Sequence, residues 1–168
     1  MRTITLLLAC ALVVSAQAHR THAQTKKPVV HVIDGDSLQI GSEEIRLWGI
    51  DAPEYNQTCN DNQQAGRTSR AFLVFLIDNK VPTCRAKGRD RYGRPLMICL
   101  NHQGSDLSRL MVEAGWAWAY AQYSQDYVGY EHQAMRAKLG VHGMKCELPW
   151  LWRQQHGRGG APVPPLKK

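Results

Sequence analysis

Ile33-Asp34-Gly35-Asp36-Ser37 and, shortly after, Arg46-Leu47-Trp48-Gly49-Ile50-Asp51-Ala52-Pro53-Glu54 place Asp34, Asp36, Asp51 and Glu54 around one arginine, each acid at a turn or at the end of a hydrophobic run. A third segment, Asp90-Arg91-Tyr92-Gly93-Arg94, adds two more arginines within a turn sequence. Carboxylates from separate loops can hold a hard divalent cation through oxygen, and arginines can clamp a phosphate by two parallel donors. Together they are the parts needed for metal-assisted cleavage of a phosphodiester.

These residues need a scaffold that brings separate turns to one end. Val29–Ile33 and Ser37–Ile40 read as two short strands around the Asp-Gly-Asp turn, and Glu44–Ile50 as a third, with Gly41-Ser42 between the second and third. Gln63–Ile77 carries Ala65, Phe72, Leu73, Leu76 and Ile77 on one side and predicts a helix. Val81–Ala86 and Pro95–Leu100 predict a hairpin around Asp90 to Arg94. Asp106–Ala114, stopped by Gly115, and Gln125–Leu139, with Tyr127, Tyr130, Ala134 and Ala137 near one stripe, predict two further helices. Strands, an inserted helix, two strands and then helices fit an α+β fold, a five-stranded OB-type β-barrel with three packed helices.

The order I-D-G-D-S, R-L-W-G-I-D-A-P-E and D-R-Y-G-R, followed by the aromatic segment Gly115 to Tyr123, resembles the staphylococcal nuclease (thermonuclease) family over Val29 to Gly143. The resemblance implies the same OB-fold barrel and calcium-dependent, sugar-non-specific hydrolysis of DNA and RNA that leaves 3′-phosphate ends. It implies Ca2+ held by Asp36, Asp51 and the carbonyl of Ala52, with Asp34 supporting that site. Glu54 matches the family's catalytic glutamate, which orients or deprotonates the attacking water, and Arg46 and Arg94 match the two arginines on the scissile phosphate. Arg91 and Tyr92 match residues that contact a neighbouring phosphate, Arg91 standing where a lysine is found. Tyr123 matches a base-facing tyrosine without a gap; the other family tyrosine falls on Ala121, one residue from Tyr120. His142 stands where a helix-ending tryptophan is usual, so the C-terminal packing must differ, with Trp150 or Trp152 as compensation. The rival reading is a nucleic-acid-binding module on the same barrel without catalysis; intact Arg46, Glu54 and Arg94 weigh against it.

Both ends of the chain read differently from its middle. Residues 1–23 open with Arg2, continue through an apolar stretch and reach Ala16-Gln17-Ala18 or Thr21-His22-Ala23, the layout of a secretory signal peptide. That stretch is shorter than the roughly 20 apolar residues a bilayer span needs. The expected product is exported, secreted or periplasmic, monomeric and free of the membrane once the leader is cut. Residues 24–156 are then one nuclease domain with a C-terminal extension, and 157–168, rich in Gly and Pro, a disordered tail. Losing Arg2 and Arg20 from a formal charge of +7 leaves a basic product suited to polyanions.

Removing the leader also removes Cys10, leaving Cys59, Cys84, Cys99 and Cys146, an even number that suits disulfides in an exported chain. No C-x-x-C or H-x-x-x-H pair supports zinc. Cys84 and Cys99 flank the predicted hairpin and could face each other, which leaves Cys59 for Cys146 and would tie the extension to the loop after Glu54. Three pairings remain open on sequence.

Overall fold

The structure is a computed structural model that describes residues 29–156; the expected leader and tail lie outside them. β1 (Val30–Val32), β2 (Ser37–Ile40) and β3 (Glu43–Leu47) form the expected antiparallel meander, with Val32 opposite Leu38 and Ser37 opposite Arg46. The two-residue period of β3 buries Ile45 and Leu47 and turns Arg46 to the other face.

The predicted strand Glu44–Ile50 is broken in two. Gly49, at φ +72°, reverses the chain after β3, and a Cβ there would press on the Tyr127 ring at 2.9 Å. Apolar alternation continues through Ile45, Leu47 and Ile50, which is why the pattern hides the break. Beyond it, β4 (Ile50–Asp51) pairs with β7 (Trp118–Ala119), setting Asp51 opposite Trp118.

β5 (Thr83–Arg89) and β6 (Pro95–Leu100) form the expected hairpin, longer on its first arm, with Cys84 opposite Cys99. β6 then runs parallel to β3, Arg46 opposite Leu96, giving a five-stranded mixed sheet in the order β1-β2-β3-β6-β5. The sheet is open: among the described residues no ladder joins β5 back to β1. The fold is α+β with a five-stranded sheet of OB type, as the sequence predicts.

α1 (Ala65–Ile77) buries Ala65, Ser69, Leu73 and Ile77 at four-residue spacing and ends where Asp78 turns left-handed at φ 50°. It starts two residues later than predicted because Gln63 is engaged in a bridge with Cys59. α2 (Leu107–Glu113) is capped by Asp106, whose carboxylate accepts from the backbone N–H groups of Ser108 and Arg109 at 2.9 and 3.4 Å. The other Asp106 oxygen accepts from the Tyr127 hydroxyl at 2.7 Å, fixing the start of α3 (Val128–Arg136). α3 stops short of the predicted Leu139 because Lys138 is left-handed at φ 52°. Leu38, Leu47, Leu73, Leu107 and Met111 are fully buried between sheet and helices, each worth about 1.5–3 kcal/mol relative to exposure.

A fourth helix joins the three expected ones. α4 (Pro149–His156) starts with proline, whose missing N–H costs nothing at a first helical position. The chain reaches it through a small apolar cluster of Cys59, Ala65, Trp118 and Val141, against which Met144, Cys146 and Leu148 pack. Both disulfides are present, Cys59–Cys146 and Cys84–Cys99. His142 meets Trp118 edge-on at 5.8 Å, and Trp150 stacks on Tyr120 at 5.6 Å. No described helix is long and apolar enough to cross a membrane.

Candidate active site

The turn between β1 and β2 presents Asp36 by local hydrogen bonds. Asp34 Oδ1 accepts from the Asp36 N–H at 3.0 Å, an Asx-type turn, and the Ile33 N–H reaches the Ser37 carbonyl at 2.9 Å. Asp36 Oδ1 accepts from the Ser37 hydroxyl at 2.9 Å and Oδ2 from the Ala52 N–H at 2.8 Å, joining this turn to the start of Ala52-Pro53-Glu54. Across the sheet, Arg46 Nη2 lies 2.9 Å from Asp36 Oδ2 and 2.6 Å from Asp51 Oδ1. One guanidinium nitrogen therefore bridges two acids that are 2 % and 0 % exposed.

Charge in this cluster is unevenly compensated. Burial works against ionisation of Asp36, yet Arg46, the Ala52 N–H and the Ser37 hydroxyl together hold its carboxyl below the usual range. Asp34 is pushed up to about 8, by burial first and then by the negative charge of Asp36. Burial opposes the charge on Arg46 as well, but Asp36 and Asp51 keep it more firmly protonated than a free guanidinium.

Glu54 is fixed through its backbone. Its N–H donates to Gln57 Oε1 at 3.2 Å, and its carbonyl accepts from the Gln57 N–H at 2.7 Å. A Cβ at Gly66 would collide with that carbonyl, so α1 seats directly on the Glu54 main chain only because residue 66 is glycine. The Glu54 side chain is 18 % exposed, and its Oε1 accepts from Arg153 Nη1 at 2.8 Å.

Arg153, on α4, is the residue sequence reasoning missed. Besides Glu54 it holds Asp51 as a fork, Nη2 to Oδ2 at 2.8 Å and Nη1 to Oδ1 at 3.1 Å. Burial opposes its charge, while Asp51 and Glu54 raise its affinity for the proton. The only hint was the expectation that a Cys59–Cys146 bridge would bring the extension to the loop after Glu54. That tie is reinforced by Gln57, fully buried, which donates Nε2 to the Glu147 carbonyl at 2.7 Å.

Arg94 is not brought onto these acids. It pairs with Asp90 through Nε at 2.7 Å and with Glu44 through Nη1 at 2.9 Å, across the β3–β6 ladder. Arg91 and Tyr92 share its turn, which Asp90 closes by accepting from the Tyr92 and Arg94 N–H groups at 2.9 Å each. The Arg91 guanidinium sits 4.6 Å from the centre of the Tyr92 ring.

Pairing of β4 with β7 carries the aromatic segment to the same place. The Tyr120 N–H donates to the Gly49 carbonyl at 2.8 Å, and its ring packs against Tyr123 at 4.7 Å. Burial and the nearby Asp51 raise the Tyr120 hydroxyl; burial and Tyr120 push Tyr123 up to about 12. Tyr120, one residue out of ungapped register, thus stands beside Tyr123.

A divalent cation fits the donor set. Asp36 and Asp51 offer hard oxygens already bridged by one positive centre, and Asp34 is pushed up partly by the negative field of Asp36. Among the described residues no three His, Cys, Asp or Glu side chains converge as a metal cage.

The protein is thus of the α+β class, an open sheet of OB order with two buried acids bridged by an arginine at its end. Residues 44–142 match the family described as staphylococcal nuclease homologue. The chain is 35 % identical over 134 residues to an "Uncharacterized endonuclease" of Escherichia coli O157:H7, covering 76 % of this chain and 84 % of that protein. It is 31 % identical over 163 residues to a "Micrococcal nuclease" of Shigella flexneri, covering 87 % and 88 %. It is also 37 % identical over 123 residues to the "Succinoglycan biosynthesis protein ExoI" of Rhizobium meliloti, covering 68 % and 61 %. The chain belongs to the staphylococcal nuclease family.

Proposed function

We propose that this protein is an exported, monomeric, calcium-dependent nuclease that hydrolyses phosphodiester bonds of DNA and RNA and leaves 3′-phosphate ends. The observation that carries the reading is Arg46 bridging Asp36 and Asp51 at 2.9 and 2.6 Å, with Glu54 in the loop that follows β4. The coarser statement, a nuclease, is supported by the family and by the names of the endonuclease and micrococcal nuclease relatives. The two disulfides agree with export, and the domain is proposed to span 24–156 after removal of residues 1–23.

Asp36, Asp51 and the Ala52 carbonyl would hold the cation, which supplies a Lewis acid beside the phosphate. Glu54 takes a proton from the water as its oxygen bonds to phosphorus. The P–O5′ bond then breaks, giving a 3′-phosphate on one fragment and, once the leaving oxygen gains a proton, a 5′-hydroxyl on the other. Arg46 and Arg94 stabilise negative charge growing on the equatorial oxygens, Arg94 by exchanging its Glu44 partner for the phosphate. Arg91, Tyr92, Tyr120 and Tyr123 hold the flanking nucleotide by charge and by stacking, worth about 1–3 kcal/mol per base.

The test is purified protein lacking residues 1–23 incubated with plasmid DNA and with RNA, in CaCl2 or in excess chelator. Both substrates should be cut in calcium only, with 3′-phosphate termini by end-labelling. Full cleavage in chelator would reject the calcium dependence, and binding without cleavage would favour the non-catalytic module.

A further inference from the structure

Arg153 occupies two of the three acids on which the proposed reaction depends. It takes both oxygens of Asp51 as a planar fork and one oxygen of Glu54, at 2.8–3.1 Å, from a side chain only 15 % exposed. Arg46 takes a further position on Asp51 Oδ1. A carboxylate offers roughly four lone-pair sites, so three of those on Asp51 already face guanidinium nitrogens. On Asp36 the Ser37 hydroxyl, the Ala52 N–H and Arg46 do the same. A cation seated on Asp51 meets a positive charge already hydrogen-bonded to its ligand.

The segment that delivers Arg153 is tied down at several points. Cys146 is bonded to Cys59, the Glu147 carbonyl is held by Gln57, and Trp150 lies on Tyr120. Gln57 also receives the Glu54 N–H, so the same residue fixes the catalytic loop and the extension relative to each other. Tethering this close turns an ordinary arginine into a ligand of high effective concentration at the carboxylates, typically millimolar or more for short links.

We infer that Arg153 is a tethered competitor of the divalent cation for Asp51, held in place by the Cys59–Cys146 bridge. The inference rests on the calcium reading proposed above and adds a residue of the C-terminal extension to the cation site. It makes α4 a strap that sets the calcium concentration at which the site fills: the guanidinium leaves Asp51 as the cation arrives.

Calorimetric titration with CaCl2, without nucleic acid, tests this on the protein lacking residues 1–23. Arg153→Met keeps the buried stem but not the charge, and calcium should bind about tenfold more tightly than to the unaltered protein. Arg153→Lys retains a charge without the fork and should also bind more tightly, by about threefold, because a point charge cannot hold both Asp51 oxygens. The paired change Cys59→Ser with Cys146→Ser loosens the strap and should move affinity the same way. A gain in Arg153→Met with none in Arg153→Lys would reduce the effect to through-space repulsion and overturn competition. Equal affinities throughout would overturn the inference while leaving the calcium reading standing. No binding in any variant would overturn the calcium reading and the inference with it.

Discussion

Replacing Arg46 with methionine tests the electrostatic centre of the site without reference to catalysis. The guanidinium bridges Asp36 and Asp51, which are 2 % and 0 % exposed, from a side chain itself 17 % exposed. Removing one partner of a buried pair costs about 3–5 kcal/mol, because the other charge stays behind uncompensated. The lower end applies here. Asp51 retains Arg153, and Asp36 retains the Ser37 hydroxyl and the Ala52 N–H. A loss of about 3 kcal/mol should lower the thermal midpoint by about 10 °C for a domain of this size. Calorimetric unfolding in chelator measures it, and calcium should restore more stability to Arg46→Met than to the unaltered protein, since a cation can replace the lost charge. The exposed half of the comparison is Glu44→Gln, which removes one partner of a surface pair with Arg94 and should cost no more than about 1 kcal/mol. A midpoint shift in Arg46→Met no larger than in Glu44→Gln would refute the picture of Arg46 as the counter-charge of the two aspartates.

Glu54→Gln should bind oligonucleotide in calcium about as well as the unaltered protein yet cleave it about 100-fold more slowly or worse; equal rates would remove Glu54 as the water-activating residue. Disrupting Cys84–Cys99, which closes a separation of 15 residues, should cost about 3 kcal/mol, and Cys59–Cys146, which closes 87, should cost more, about 4–5 kcal/mol; non-reducing peptide maps showing other pairs, or denaturation midpoints in the reverse order, would contradict this. Burial lowers the proton affinity of His142 below the ordinary value of 6.5. The unfolded chain therefore protonates first, and stability present above pH 6.5 is lost as pH falls below it. His142→Phe should flatten that loss between pH 6.5 and 5 in urea titrations, and an unchanged slope would assign it to other groups.

How much could be read in advance depended on whether the contact lay within a motif or between distant ones. The Asp-Gly-Asp turn, the meander around it and the Cys84–Cys99 hairpin follow from local apolar alternation and turn chemistry. Asp36, Arg46 and Asp51 converge as their motifs implied, because adjacent strand ends carry them. The break after β3 was hidden, since a positive φ at Gly49 does not interrupt the order of apolar residues. Pairing of Arg94 with Glu44 depends on the β3–β6 register, which no local pattern states. Arg153 reaches Asp51 from 102 residues away on a helix of 8 residues, too short for periodicity to reveal a buried face. Only the cysteine count hinted at that return of the chain.

The parallel ladder between β3 and β6 also governs when the site can exist during synthesis. Until residues 95–100 have emerged, Arg46 lies on an unpaired sheet edge, and until α4 follows, Asp51 and Glu54 lack Arg153. Parallel pairing over such a separation is slow, because the intervening chain must lose its freedom before the contact returns anything. A nascent chain halted before residue 95 would carry the Asp-Gly-Asp turn and its arginine without their neighbouring strand. The grip of Arg153 on Asp51 and Glu54 is therefore a late product of folding, completed only once α4 has been made. In the exported form proposed above, that timing would separate manufacture beside the cell's own nucleic acids from assembly of the finished site.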